Sequence, residues 1–190
     1  YLKWEDDISL YPNIKKHLDN VKEFITSSNK PYGLHRPRKS KYFESPKLIC
    51  KGMFAKPEFH IDYQSYYFGF SFTSIIQKDT NYSLEFLLAI LNSKFGENWF
   101  KTNGKKRGIG VDIGVLVFRQ FPIPNLDFNN PEDKLYHDDL VSLVNRMLDI
   151  QCKYRSCNLD NEKKMYEKQL DSIDDQINNI VNKLYGLNDE

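Results

Sequence analysis

EDKLYHDDLVSLVNRMLDIQCKYRSCNLDNEKKMYEKQLDSIDDQINNIVNKLY, residues 132–185, contains neither glycine nor proline, although both recur throughout the residues before it. A run of that length without a breaker is economical only as helix. Leu140, Val144, Met147, Gln151 and Tyr154 follow a 4-3-4-3 spacing, and Tyr166, Leu170, Ile173, Ile177, Ile180 and Leu184 a 4-3-4-3-4 spacing. Each half thus carries one narrow apolar seam of the coiled-coil kind. Between the seams lies Arg155-Ser156-Cys157-Asn158-Leu159-Asp160-Asn161, where Asn and Asp favour turns and caps over helix interiors. The stretch therefore reads as two antiparallel helices. At 1.5 Å per residue the hairpin would be roughly 35–40 Å long, against roughly 80 Å for its rival, a single rod. Gly186 follows the last seam residue as a terminal cap.

Working back towards the N-terminus, the body is mixed. Pro12 opens a helix with Ile14, Leu18, Val21 and Ile25 on one face, ending near Ser27-Ser28-Asn29. Leu48-Ile49-Cys50, Phe59-His60-Ile61 and residues 66–76 are short, aromatic and β-branched, bounded by Gly, Pro and Asn, and read as strands. Ser83 caps an amphipathic helix through Leu84, Leu87, Leu88, Leu91 and Phe95 to about Phe100. Gly104, Gly108, Gly110 and Gly114 bracket a loop, residues 115–118 read as a strand, and Pro122-Ile123-Pro124 ends the body in extended backbone. The fold class is α+β: a β-rich body with flanking helices (1–131), then an antiparallel, coiled-coil-like hairpin (132–190).

With 190 residues, 40% hydrophobic and 14% aromatic, the chain can close a real core. It holds no stretch long and apolar enough for a membrane span and no signal-peptide layout, and reads as soluble and cytoplasmic. It opens on Tyr1 without Met, which reads as a piece of a longer protein. Cys50, Cys152 and Cys157 are odd in number and form no CxxC pair, so they read as free thiols. His17, His35, His60 and His137 lie at no metal-ligand spacing, and no metal site is assigned.

The net charge of +1 conceals a division. Residues 1–131 hold 19 basic and 13 acidic side chains, whereas residues 132–190 hold 8 and 13. The positive excess concentrates in Lys30, Arg36, Arg38, Lys39, Lys41, Lys47, Lys51 and Lys56, accompanied over residues 30–56 by a single acid, Glu44, and by interleaved aromatics. Pro37 favours extended backbone at Arg36, which is expected to separate the Arg36 and Arg38 guanidinium groups from any helical ladder, and their forks suit a guanine edge or a phosphate. A second cluster, Lys101, Lys105, Lys106 and Arg107, stands in a stretch free of acids from Asn98 through Val111, beside glycines that allow close backbone approach. It lacks both GxxxxGK[ST] and GxGxxG, which argues against nucleotide hydrolysis. Each cluster has a blander reading as a solvated loop. Tyr63, Tyr66, Tyr67, Phe68, Phe70 and Phe72 could stack on unpaired bases, but alternate members are expected inside a sheet.

Catalytic patterns are missing. No GxSxG or Cys–His context marks a nucleophile. Glu132-Asp133-Lys134 has the acid-x-lysine form of some metal-dependent nucleases, but acids are also expected at a helix start.

Seven phrases in order carry a family resemblance. They are Tyr11-Pro12; Leu34-His35-Arg36-Pro37-Arg38; Phe43-Glu44-Ser45-Pro46-Lys47-Leu48-Ile49; Leu87-Leu88-Ala89-Ile90-Leu91-Asn92-Ser93-Lys94; Gly104-Lys105-Lys106-Arg107-Gly108; Pro122-Ile123-Pro124; and Leu184-Tyr185-Gly186-Leu187. Spanning nearly the whole chain, they resemble the C-terminal specificity domain of TaqI-like restriction–modification enzymes, the target-recognition part of methyltransferase–endonuclease fusions.

The resemblance implies sequence-specific recognition of double-stranded DNA, with an N-terminal adenine-methylating domain flipping the target base. This chain has no Asn/Asp-Pro-Pro-Tyr motif and no cofactor-binding glycine motif. It is expected to bind DNA, catalyse nothing and hold no cofactor, S-adenosylmethionine and magnesium belonging to the parent's methyltransferase and nuclease domains. The expected DNA contacts are Arg36, Arg38, Lys39, Lys41, Lys101, Lys105, Lys106 and Arg107, and Gln64, Ser65 and Gln77 are candidate base readers. The acidic tail would be repelled by phosphate and reads as a spacer or docking hairpin, or as a stabilising hairpin packed on its own domain. The alternative function is a protein-interaction module that assembles, even with itself, through that tail.

Overall fold

The computed structural model describes residues 7–24, 32, 38–77 and 82–187. Its elements in chain order are α1 (Pro12–Asn20), α2 (Lys41–Glu44), β1 (Lys47–Lys51), β2 (Met53–Phe54), β3 (His60–Asp62), β4 (Phe72–Ile76), α3 (Leu84–Asn92), α4 (Lys94–Asn103), β5 (Lys105–Arg107), β6 (Gly110–Asp112), α5 (Val115–Gln120), α6 (Pro131–Ser156) and α7 (Asp160–Leu184). The α+β class is borne out. The chain divides into two compact units, Tyr1–Glu44 and Ser45–Glu190.

In the first unit, Pro12 opens α1 as the sequence predicts, because proline's fixed φ suits the first helical position and its missing N–H is not needed there. The helix stops at Asn20, followed by one 3-10 turn, Lys22–Phe24. Asp19 ties its last turn to Lys15 at 2.6 Å and accepts the Tyr32 hydroxyl at 2.6 Å. The predicted end at Ser27-Ser28-Asn29 lies outside the described residues.

In the second unit, β1 is a central strand, with β3 and β4 antiparallel on either side. A second small sheet runs β2-β6-β5. Gly52 joins the two, donating its N–H to the Ser71 carbonyl and accepting from the Ile113 N–H, at 2.8 and 2.9 Å. The core beneath them is strongly aromatic. Phe100 is fully buried, with the rings of Phe54, Phe59, Trp99, Phe118 and Phe121 at 5.0–5.8 Å between centroids.

Two of the differences from the sequence reading concern helices. Residues 83–100, expected as one helix, bend at Ser93, whose ψ of 166° breaks the ladder. The Ser93 hydroxyl donates to the Ile90 carbonyl at 2.7 Å and accepts the Gly96 N–H at 3.1 Å, capping α4. Residues 115–118, expected as a strand, are helical in α5: they find no strand partner, and Phe118 turns onto Phe59 and Phe100.

Two antiparallel helices, α6 and α7, joined through Cys157, Asn158 and Leu159, bear out the hairpin over the rod. Asn130 caps α6 by accepting the Glu132 N–H at 3.0 Å, and Pro131 takes its first position. Of the predicted seam, Leu140, Val144, Ile173 and Ile177 are buried, and Ile150 and Val181 join them because α3 packs against a neighbouring stripe of the hairpin. Asn178 is buried with both ends satisfied: Oδ1 accepts the Lys94 N–H at 2.7 Å and Nδ2 donates to Asp174. Gly186, at φ 63°, closes α7 as predicted. Its N–H reaches the Lys183 carbonyl and that of Leu187 the Asn182 carbonyl, the paired bonds of a Schellman cap.

Candidate nucleic-acid interface

The sheet edge at β5 carries three consecutive exposed cations. Strand β6 is paired on both sides, so β5 lies outermost, and Lys105, Lys106 and Arg107 are all exposed. Their register against β6 is Lys105↔Asp112, Lys106↔Val111 and Arg107↔Gly110. The turn is the two residues Gly108 and Ile109. Glycine stands at its first position with φ 57°, the left-handed value a hairpin of this hand needs there. The stretch expected as a glycine-bracketed loop is therefore a β-hairpin, and Ile109 at its tip is wholly exposed.

The four cations of this cluster are not equivalent. Lys101, in the last turn of α4, holds Glu97 at 2.5 Å, and Arg107 reaches Asp112 at 3.5 Å. Among the described residues no carboxylate lies within 4 Å of the Lys105 or Lys106 ammonium. Gly104 makes the junction of α4 with β5 feasible, since a Cβ there would meet Val111 at 2.1 Å and the Phe100 carbonyl at 2.7 Å.

The first-unit candidates stand in a separate body. Arg38 and Lys39 are exposed, and Lys41, also exposed, holds its ammonium 5.5 Å from the Tyr42 ring centre. Arg36 lies outside the described residues, as do His35 and Pro37.

Lys47 corrects the reading of the basic segment. It is fully buried, and its ammonium sits 2.5 Å from the equally buried Asp62, its cross-strand partner on β3. It belongs to the core, not to a polyanion-binding face. Asp62 does more than neutralise it, accepting the N–H groups of Gln64 at 2.8 Å and Tyr66 at 3.0 Å. Burial opposes ionisation of Asp62, but the Lys47 ammonium and these two N–H donors outweigh it and hold the carboxyl below its ordinary value.

Those two bonds explain why the aromatic run does not enter a sheet. They take backbone donors that a ladder would need, Ser65 adopts φ 60°, and β4 begins only at Phe72. The expectation that alternate rings lie inside is overturned: Tyr63, Tyr66, Tyr67, Phe70 and Phe72 are all exposed, Phe70 completely, and Phe68 is half-buried, its ring centre 6.0 Å from the Lys47 ammonium. Gln64 and Ser65 lie at the start of this loop. The Gln64 side-chain oxygen accepts the Tyr66 hydroxyl, and the Tyr63 hydroxyl bonds Glu85 at 2.5 Å. Burial, then Glu85, pushes the Tyr63 hydroxyl up to about 12. Gln77, exposed beyond β4, donates its Nε2 to the Tyr82 carbonyl at 2.7 Å, and residues 78–81 lie outside the described residues.

The structure thus brings together two groups: Lys105, Lys106 and Arg107 on one strand, and Gln64 and Ser65 on one loop. Ile109 and Phe70 escape sequence reasoning as exposed residues, although an isoleucine between two glycines is a signal of a displayed side chain. Glu132, Asp133 and Lys134 find local partners: Glu132 accepts the Tyr136 hydroxyl, Asp133 the Asp127 N–H, and Lys134 pairs with Asp138 at 3.0 Å. His137 is buried against Phe86 and Phe128. Among the described residues no helix is long and apolar enough to cross a membrane.

Comparison with known proteins agrees with the resemblance. Residues 8–123 match the family described as the TaqI-like C-terminal specificity domain. Over 123 residues the chain is 29% identical to the type II restriction enzyme and methyltransferase RM.Eco57I of Escherichia coli, a match covering 64% of this chain and 12% of that protein.

Proposed function

The chain belongs to the TaqI-like C-terminal specificity domains of restriction–modification enzymes, and from that premise we propose that it reads a short sequence of double-stranded DNA for the larger enzyme of which it is a part. The observation that carries this reading is the β5–β6 hairpin, a sheet edge displaying three consecutive cations, two of them with no carboxylate within 4 Å among the described residues. Such cations hold phosphates and fix register on the duplex without reading sequence.

Sequence would be read from the loop that Asp62 organises. The Gln64 carboxamide, oriented by the Tyr66 hydroxyl, has the donor and acceptor that a bidentate adenine contact uses. Arg38, Lys39 and Lys41, with Arg36, would add contacts from the first unit. The chain recognises and does not catalyse; methylation and cleavage belong to other parts of the parent. S-adenosylmethionine and magnesium would act there as well. Among the described residues no three His, Cys, Asp or Glu side chains gather where a metal could sit.

Selection from a pool of randomised duplexes by the full chain is expected to yield a defined short sequence. On that duplex, Lys105→Gln with Lys106→Gln should lower the slope of log K against log salt by about 1.8, at 0.9 per phosphate contact, and weaken all sequences alike. Gln64→Ala should relax the selected sequence at about one position. Recovery of unenriched sequences by the unaltered chain would sink the proposal.

A further inference from the structure

A second set of cations lies where the overall charge of the tail argues against it. A groove of about 500 Å³ on the α6–α7 hairpin is lined by Arg146 from α6 and, from α7, by Lys164 and Lys168 with Asn161, Gln169 and Ser172 among others, and by no acid. The four-residue spacing of Lys164, Lys168, Ser172 and Gln176 sets them in one row along α7, about 6 Å apart per step. All three cations are exposed.

None of them is engaged. Acids stand at helix-neighbour positions, Asp160 four residues before Lys164, Glu167 three after it, Asp171 three after Lys168 and Asp149 three after Arg146, and Glu167 is occupied in accepting the Tyr154 hydroxyl. Yet among the described residues no carboxylate lies within 4 Å of any of the three cations. Lys164 and Lys168 are like charges four apart on one helix face and repel each other, and no acid closes on either within 4 Å among the described residues. The amides and the hydroxyl between them add neutral hydrogen-bonding groups. An anion in the groove would remove that repulsion and accept those bonds.

We infer that this groove binds the phosphodiester backbone of DNA, so that the hairpin, acidic in total, contributes a phosphate-holding face of its own. The inference rests on the DNA-recognition reading. A duplex is favoured as occupant because it is the polyanion that the β5 edge would already engage, and because cations with carboxamide and hydroxyl neighbours are the usual holders of phosphate oxygens. The helix-neighbour acids, about 5–6 Å away between Cβ atoms, lie within the screening length of about 8 Å at physiological salt and oppose the anion, whereas the more distant acids of the hairpin are screened.

The test uses the full chain and a mixed-sequence 40-base-pair duplex, with anisotropy titrations across a range of potassium chloride. Arg146→Gln/Lys164→Gln/Lys168→Gln is expected to lower the salt slope by about 2.7, and affinity at 0.1 M salt by about 500-fold. A charge-matched variant away from the groove, Lys134→Gln/Lys153→Gln/Lys183→Gln, should leave the slope unchanged. Equal effects of the two triples would reduce the result to net charge and overturn the assignment. An unchanged slope in the groove triple, with the Lys105/Lys106 variant still weakened, overturns the groove and leaves the DNA reading standing. Absence of duplex binding by the unaltered chain removes both. Polyglutamate binding that is lost in the groove triple while duplex binding persists would give the groove to an acidic protein surface instead. Far-UV circular dichroism at 222 nm verifies that each variant keeps its helices.

Discussion

At the scale of single residues, the Lys47–Asp62 pair determines what its neighbours display. A buried ion pair is not in itself a stability device, but removing one partner strands the other charge in the core, at a cost of about 3–5 kcal/mol. Asp62→Asn is therefore expected to lower unfolding free energy by about that amount, measured by urea denaturation at pH 7. Replacing both, Lys47→Met with Asp62→Leu, should recover part of the loss but leave about 1–3 kcal/mol, because the N–H groups of Gln64 and Tyr66 lose their acceptor. The dependence on pH has a definite sign. The Asp62 carboxyl is held below its ordinary value, so its contribution is complete above the unfolded value of about 3.9 and is lost as pH falls through the lower folded value. The gap between the natural chain and Asp62→Asn should therefore narrow on acidification below about pH 4. A gap constant from pH 7 to pH 2 would show that the carboxylate's charge contributes nothing.

At the scale of elements, the bend between α3 and α4 depends on one missing side chain. A Cβ at Gly96 would stand 2.6 Å from the carbonyl oxygens of both Ile90 and Leu91, which are backbone and cannot swing aside. Gly96→Ala should lower the thermal midpoint far more than Gly69→Ala, where the added methyl meets open space. Equal shifts would deny the bend its steric basis. The neighbouring elements also show what could be read from the sequence. The helical hairpin, the Ser83 cap and the Gly186 terminus were legible because each depends on spacing or chemistry within a few residues. The bend at Ser93 was not, because the apolar period runs on through Phe95 and Phe100. Nor was α5, since four apolar residues suit a strand until the absence of a partner decides. Among candidate site residues, the exposed cations at Lys105, Lys106 and Arg107 followed from composition alone. The burial of Lys47 did not, because its partner is set by pairing between strands 15 positions apart in the chain.

At the scale of the molecule, the second unit has one continuous core that crosses from sheet to hairpin. Leu140, Val144, Ile173, Ile177 and Val181 belong to the same buried cluster as Leu48, Phe86 and Phe100. Specific bonds reinforce the apolar contact: Asn178 on the Lys94 N–H, the Tyr185 ring stacked 3.7 Å from that of Phe95, and the Tyr185 hydroxyl on the Pro122 carbonyl. These link the family-like phrases Pro122-Ile123-Pro124 and Leu184-Tyr185-Gly186-Leu187 directly, although the family match itself ends at residue 123. Elements that share a core unfold together, so hairpin and sheet should melt as a single cooperative unit. Circular dichroism at 222 nm follows chiefly the long helices α6 and α7, and Trp99, packed on Phe100 and Phe121, follows the body. In a Trp4→Phe chain, which leaves Trp99 as the fluorophore, the two signals should give one urea midpoint, and Leu140→Ala should move both by the same amount. An ellipticity transition preceding that of Trp99 would mean that the hairpin folds on its own account. With a shared midpoint, substitutions on the hairpin would alter the stability of the β5 edge and the Asp62-organised loop as much as that of the helices themselves.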